Sequence, residues 1–236
     1  MCRTLHHLVA MIALIGLLQA CTHGPQPDTP HPRITAAATA AKAAATDLVR
    51  LAESSRIAGQ PPGQSDPDVK RLLDTVFDMS ALNDEQPGPA DFSTLMSWMS
   101  SIQEVYHIYT VSAELGRAVD SVIVITMATC QLTQASVNGT YDSPLATRVK
   151  QTAASLRPIA TNFYKIELHL LVQPQLSDEW RRARLGPLSK FVQVLASFIL
   201  PSDAADLRRL TLEVSESQHD PILKAELQQF AATFKS

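Results

Sequence analysis

The chain has 236 residues, 45% of them hydrophobic and 18% charged, with a formal net charge of −3. Such a composition can bury a sizeable core, which excludes a disordered or collagen-like chain. The slightly acidic balance lacks the basic face of nucleic-acid binders, so no nucleic-acid partner is expected.

Behind Arg3 comes an 11-residue apolar run, Leu8 to Leu18, followed by Gln19, Ala20 and Cys21. A spanning helix needs about 20 apolar residues. A basic start and a short greasy segment before small residues read instead as a secretory signal peptide over residues 1–20. The tetrapeptide Leu18-Gln19-Ala20-Cys21 resembles the lipobox of bacterial lipoproteins, usually Leu, two small residues and Cys. Gln19 departs from the small residue of that slot. The resemblance implies cleavage after Ala20 by signal peptidase II and lipid attachment, diacylglycerol and usually a further acyl chain, on Cys21. Each buried methylene contributes about 0.8 kcal/mol, so several chains anchor almost permanently. Thr22 stands where an aspartate suggests retention in the inner membrane, which implies the outer membrane with the domain facing the periplasm. The alternatives are an inner-membrane anchor, or a soluble periplasmic protein cleaved at the same Ala20.

Residues 21–33 read as the lipid-anchored flexible tether, with Pro25, Pro27, Pro30 and Pro32. Proline-rich chain extends at about 3.1 Å per residue, enough to hold a domain clear of a bilayer. From Ile34 to about Arg56, eight alanines among residues 36–45 favour helix. Ile34, Ala38, Ala41, Ala45, Leu48 and Ala52 form a seam too short for a sustained coiled coil, hence a core-facing stripe. Gly59-Gln60-Pro61-Pro62-Gly63 breaks the chain.

Asp66 before Pro67 predicts an N-cap with proline at the first helical position. Val69, Leu72, Leu73, Val76 and Phe77 make that helix's apolar face, and Pro87-Gly88-Pro89 ends the connection after it. Phe92, Leu95, Met96, Met99, Ile102, Tyr106, Tyr109 and Ala113 recur at helical spacing. The pattern continues, with or without a break near Gly116, to Leu132. Val122-Ile123-Val124-Ile125 is β-branched but lacks a partner strand, and so reads as buried helix. Asn138-Gly139 predicts a C-terminal cap and Ser143-Pro144 a new helix, kinked at Pro158. Leu145, Val149, Ala153, Leu156, Ala160, Phe163 and Leu170 mark its inner face. Ser177-Asp178-Glu179 opens another helix, which Gly186-Pro187 is expected to interrupt before Leu188, Phe191, Val192, Leu195 and Phe198. Two last helices carry Leu207, Leu210 and Val214, then Leu223, Leu227, Phe230 and Phe234, divided by Asp220-Pro221. No repeat of solenoid length emerges.

Signals for chemistry are thin. Glu104 and His107 stand three apart on one helix face, a bare pair rather than a metal site. Glu167 and His169, two apart, point away from each other. There is no Gly-x-Ser-x-Gly elbow, no supported Ser-x-x-Lys and no glycine-rich phosphate loop. Asp203 and Asp206 read as capping, and Glu114, Arg117 and Asp120 as a surface ion-pair ladder. Arg181, Arg182 and Arg184, flanked by Asp178 and Glu179, read as a solvated helix face. Cys130, among Val124, Ile125, Met127 and Ala128, reads as a small buried hydrophobe rather than a reactive or intermolecular thiol. Trp98, Trp180, Tyr106 and Tyr109 are weak candidates for an interaction surface, where aromatics concentrate.

These observations point to an all-α fold, an irregular bundle of seven or eight helices over residues 34–236, with subdivision near residue 140 as the alternative. No catalytic constellation, metal or cofactor is expected. The functional expectation is a lipid-anchored, periplasm-facing interaction or assembly factor held to the membrane through Cys21 and bound to an envelope protein. The alternative is an immunity or inhibitor lipoprotein that captures a toxin or hydrolase.

Overall fold

The computed structural model describes residues 29–57, 66–108 and 112–234. Helix is the regular structure throughout them, and eight helices of ten residues or more form the all-α fold. The described residues divide into two compact units, 29–132 with 143–145, and 133–142 with 146–234.

The first unit opens with α1 (Pro32–Ile57), then α2 (Pro67–Val76), the five-residue α3 (Ser80–Asp84), a 3-10 turn (Pro89–Asp91) and α4 (Phe92–Ile108). Helix α1 packs against α4 and α2 through its predicted seam. Ile34, Ala38, Ala41, Ala45 and Leu48 are all buried, and the small residues let the neighbouring backbones approach closely. On α2, Val69, Leu72, Leu73 and Val76 are buried as expected, while Phe77 lies just past the helix as its C-cap and is half-buried; Asp66 accepts the Asp68 N–H at 2.9 Å. Pro32 and Arg33 belong to α1, so the fold begins inside the segment expected to be tether. The Gly59–Gly63 breaker lies outside the described residues.

Helix α5 (Ser112–Val137) runs from the first unit into the second. Gly116 lies inside it, and α4 already ends at Ile108; a lone glycine costs about 1 kcal/mol, too little to break so long an apolar helix. The β-branched run is helical, with Ile123 and Ile125 buried. Residues 115–137 have the length and hydropathy of a membrane span, a property that core helices share, and 61% of the most apolar window is buried.

The second unit takes in the end of α5, then α6 (Pro144–Leu171, all but its first two residues), α7 (Asp178–Phe198), α8 (Pro201–Glu216) and α9 (Pro221–Thr233). Helix α5 closes on Gly139 at φ 75°, with Thr140 N–H bonded to Ala135 O and Gly139 N–H to Ser136 O. That is a Schellman cap. Phe163, Tyr164, Phe191 and Phe234 meet in the core at ring separations of 5.3 to 6.3 Å. Tyr164 Oη and Thr211 Oγ1 share a hydrogen bond of 3.0 Å that ties α6 to α8. Helix α9 packs on α8 and α7 through Leu223, Leu227 and Phe230, as expected.

Three expectations need correction here. Gly186-Pro187 does not interrupt α7. The strain a proline imposes on its predecessor acts largely through that residue's Cβ, which Gly186 lacks. One apolar face, Leu185, Leu188, Phe191, Val192 and Leu195, runs past the step and holds the helix together. On α6 the stripe reaches Leu168 and Leu171, with Leu145 and Leu170 only half-buried. Strict seven-residue spacing lags a real helix by about 20° per heptad, and three heptads separate Val149 from Leu170. On α8 the inner face is Ala204, Leu207, Thr211 and Ser215, while Leu210 and Val214 flank it.

Candidate functional site

The four aromatic candidates do not form one surface. Trp98 is fully buried in α4 and is a core residue, because α4 is covered on most of its circumference. Tyr106 is half-buried in the same unit, Trp180 is half-buried at the start of α7 in the other, and Tyr109 lies outside the described residues. Ala20 and Cys21 lie outside them as well. Glu104 is exposed on α4, and the side chains of His107 and Glu114 are not among those described. No group of three or more His, Cys, Asp or Glu side chains able to hold a metal occurs among the described residues.

The basic cluster on α7 is only in part the solvated face expected of it: Arg182 is exposed, whereas Arg181 is half-buried and Arg184 buried. Ser177 caps the helix by accepting the Trp180 N–H at 3.2 Å, which sets the three arginines around its first turns. Arg181 bonds Asp178 at 2.7 Å and donates to the Gln173 carbonyl at 2.8 Å. Arg182 donates through Nε to Asp220, the N-cap of α9, at 2.5 Å. Arg184 is buried, its guanidinium 5.4 Å from the Trp180 ring centre. A planar, weakly hydrated cation stacks and pairs in such places where a lysine ammonium would not. Arg182 holds the Asp220 carboxyl below the ordinary carboxylate range, against burial and helped by the Ile222 N–H. Of the three, Arg182 joins α7 to the start of α9, while Arg181 and Arg184 hold the first turns of α7 and the loop before them.

Arg117 likewise reaches off its own helix. It bonds Asp74 at 2.7 Å and lies 5.1 Å from the centre of the Phe77 ring, so the expected ladder is at least partly a tertiary contact. Asp120 is half-buried rather than exposed. Cys130 is buried, and burial pushes its thiol up to about 12. That is the inert state, since the thiolate is the reactive form.

The most developed polar constellation involves a pair the sequence did not bring together. Asp91, fully buried, closes the 3-10 turn and accepts the Gly88 N–H at 2.8 Å. It also receives the His31 backbone N–H at 2.8 Å, and His31 Nδ1 lies 2.6 Å from its other oxygen. Two residues on, Arg33 bonds Asp84 at 2.8 Å and reaches Glu85 at 3.7 Å. The sequence gives no sign of this pairing across 60 residues, because neither position carries a periodic or spaced pattern. Chemically the group ties residues 31–33 to the 84–91 segment. No family model matches the chain, and searches of curated proteins and of solved structures find no match.

Proposed function

We propose that this is a lipid-anchored, periplasm-facing envelope protein that works without catalysis, as an interaction or assembly factor for a resident envelope protein. The observation that carries the reading is the run Leu8–Leu18 ending in Leu18-Gln19-Ala20-Cys21, a signal peptide closing on a lipobox. The described fold supports it by beginning close to the anchor. Nine residues lie between Cys21 and His31, and the ten steps across them span at most about 35 Å when extended. A domain so held stays near its membrane and meets partners in the same layer. Trp180 and Tyr106, both half-buried, are the aromatic side chains with which it would touch one.

Alkynyl-palmitate labelling of the tagged protein in a Gram-negative host tests the anchor. Label that is lost on Cys21→Ser, with the native protein in the outer-membrane fraction, supports the reading. Absence of label from the native chain overturns it. In-cell crosslinking then tests the partner, where a resident envelope complex is the expected capture. Capture of an incoming toxin or hydrolase instead replaces the assembly role with an inhibitory one.

A further inference from the structure

His31 occupies the N-cap position of α1, with the Thr35 N–H bonded to its carbonyl at 3.0 Å. Ser, Thr, Asp or Asn at that position would cap the helix's own amides. The His31 ring turns instead to a carboxylate 60 residues away. The next residues follow the same pattern: Arg33 pairs with Asp84, and Ile34 is fully buried in the core. Residues 31–34 thus hold the unit by a ring contact, an ion pair and an apolar peg. The receiving segment is stiff, with Pro87 and Pro89 both buried around Gly88. A Cβ at Gly88 would lie 3.6 Å from the His31 ring, an ordinary contact that marks how closely the two segments fit.

We propose that residues 31–34 are a latch that takes up the pull of the membrane tether on the buried carboxylate of Asp91, with Arg33 and Asp84 as its second hold. The proposal rests on the anchored reading above. A pull arriving from the tether meets His31 first and is passed to the 84–91 segment before it reaches the rest of α1. Closed, the latch fixes how far the folded domain stands from its lipid. Opened as far as Ile34, it releases four residues and lengthens the tether by up to about 14 Å. The latch is therefore a limit on reach, set by contacts within one unit.

The test is hydrogen–deuterium exchange on the mature lipidated protein in phosphatidylethanolamine–phosphatidylglycerol vesicles, comparing native chain, Asp91→Asn and His31→Ala. A hydrogen bond to a charged group is worth enough that its loss speeds local exchange by roughly tenfold or more. The expected result is such acceleration at the amides of 31 and 33–36 in both variants, with amides 95–105 of α4 and 159–171 of α6 unchanged. Limited trypsin digestion then releases a domain beginning at Ile34, by cleavage after Arg33, faster from the variants than from the native chain. Unchanged exchange at 31 and 33–36 in both variants overturns the latch. So does a parallel loosening of the whole unit in His31→Ala, which leaves Asp91 its backbone donors and should fold. Palmitate label on the same samples scores the anchor separately. Local opening without label would overturn the anchored reading and, with it, the mechanical role, while the His31–Asp91 contact remained.

Discussion

Asp66 and Asp220 do the same local work and differ in what surrounds them. Each caps a helix that starts with proline, accepting an N–H two residues on at 2.9 Å. Asp66 is exposed, whereas Asp220 is buried against Arg182. Because Arg182 lowers the Asp220 pKa from its ordinary 3.8, the folded chain binds that proton less readily than the unfolded one. The stabilising contribution is present above about pH 4 and is lost as pH falls through the lower folded value. Asp220→Asn is therefore expected to flatten the acid limb of stability, read by urea titrations between about pH 6 and about pH 2. Thr126 gives a second residue-scale expectation. Its hydroxyl is buried in α5 and finds no hydrogen-bond partner among the described residues. Removing a buried polar group of that kind is worth about 1 kcal/mol, so Thr126→Val should raise the urea midpoint. A lowered midpoint would mean that the hydroxyl is satisfied. Both caps are legible in the sequence as Asp-Pro, but Arg182 as a partner is not, since it lies 38 positions away.

At the scale of elements, the sequence marks starts better than interruptions. A cap is decided by four or five neighbouring residues, which is why Asp66, Ser177, Asp220 and the Asn138-Gly139 stop are all where the pattern puts them. An interruption is a contest between a local defect and the packing of the whole helix. Gly116 and Gly186-Pro187 lose that contest because the helix around them is packed, with Ala118, Ile123 and Ile125 buried beyond Gly116 and Leu185 and Leu188 buried on either side of Gly186-Pro187. Gly139 is the reverse case, a glycine whose backbone is needed. At φ 75° a side chain is strained, and nothing lies within 4 Å of an added Cβ to blur the result. Gly139→Ala should therefore cost about 1 kcal/mol, from backbone conformation alone, measured as a shift in denaturation midpoint. A neutral outcome would show that α5 can end without its left-handed residue.

At the scale of the molecule, two compact units share one chain and one long helix, α5. Cys130 sits in that helix and reports on whether it is closed. Its thiol is raised from 9.0 to about 12 by burial, so the folded chain keeps a proton that the unfolded chain loses. Stability should accordingly fall as pH rises above about 9. Below that, alkylation of Cys130 by iodoacetamide should be negligible in the native protein and rapid in denaturant. Prompt native labelling at neutral pH would show α5 opening far more often than its burial implies.

The all-α class, most helix starts and the inward faces of α1, α2 and α9 follow from the sequence, because periodicity, capping residues and helix propensity act over a few positions. The proposed signal peptide and lipobox are read from a contiguous string of the same short range. What only the tertiary structure decided are the contacts that join distant positions: His31 with Asp91, Arg33 with Asp84, Arg182 with Asp220, and Arg117 with Asp74. Composition and spacing mark each of these as an ordinary surface charge or a tether residue. For Asp91 and Asp220 the role comes from burial, which removes the solvent that would otherwise satisfy the carboxylate and makes a specific partner necessary, whereas the Arg33–Asp84 and Arg117–Asp74 pairs stay exposed and follow from the packing that brings their helices together.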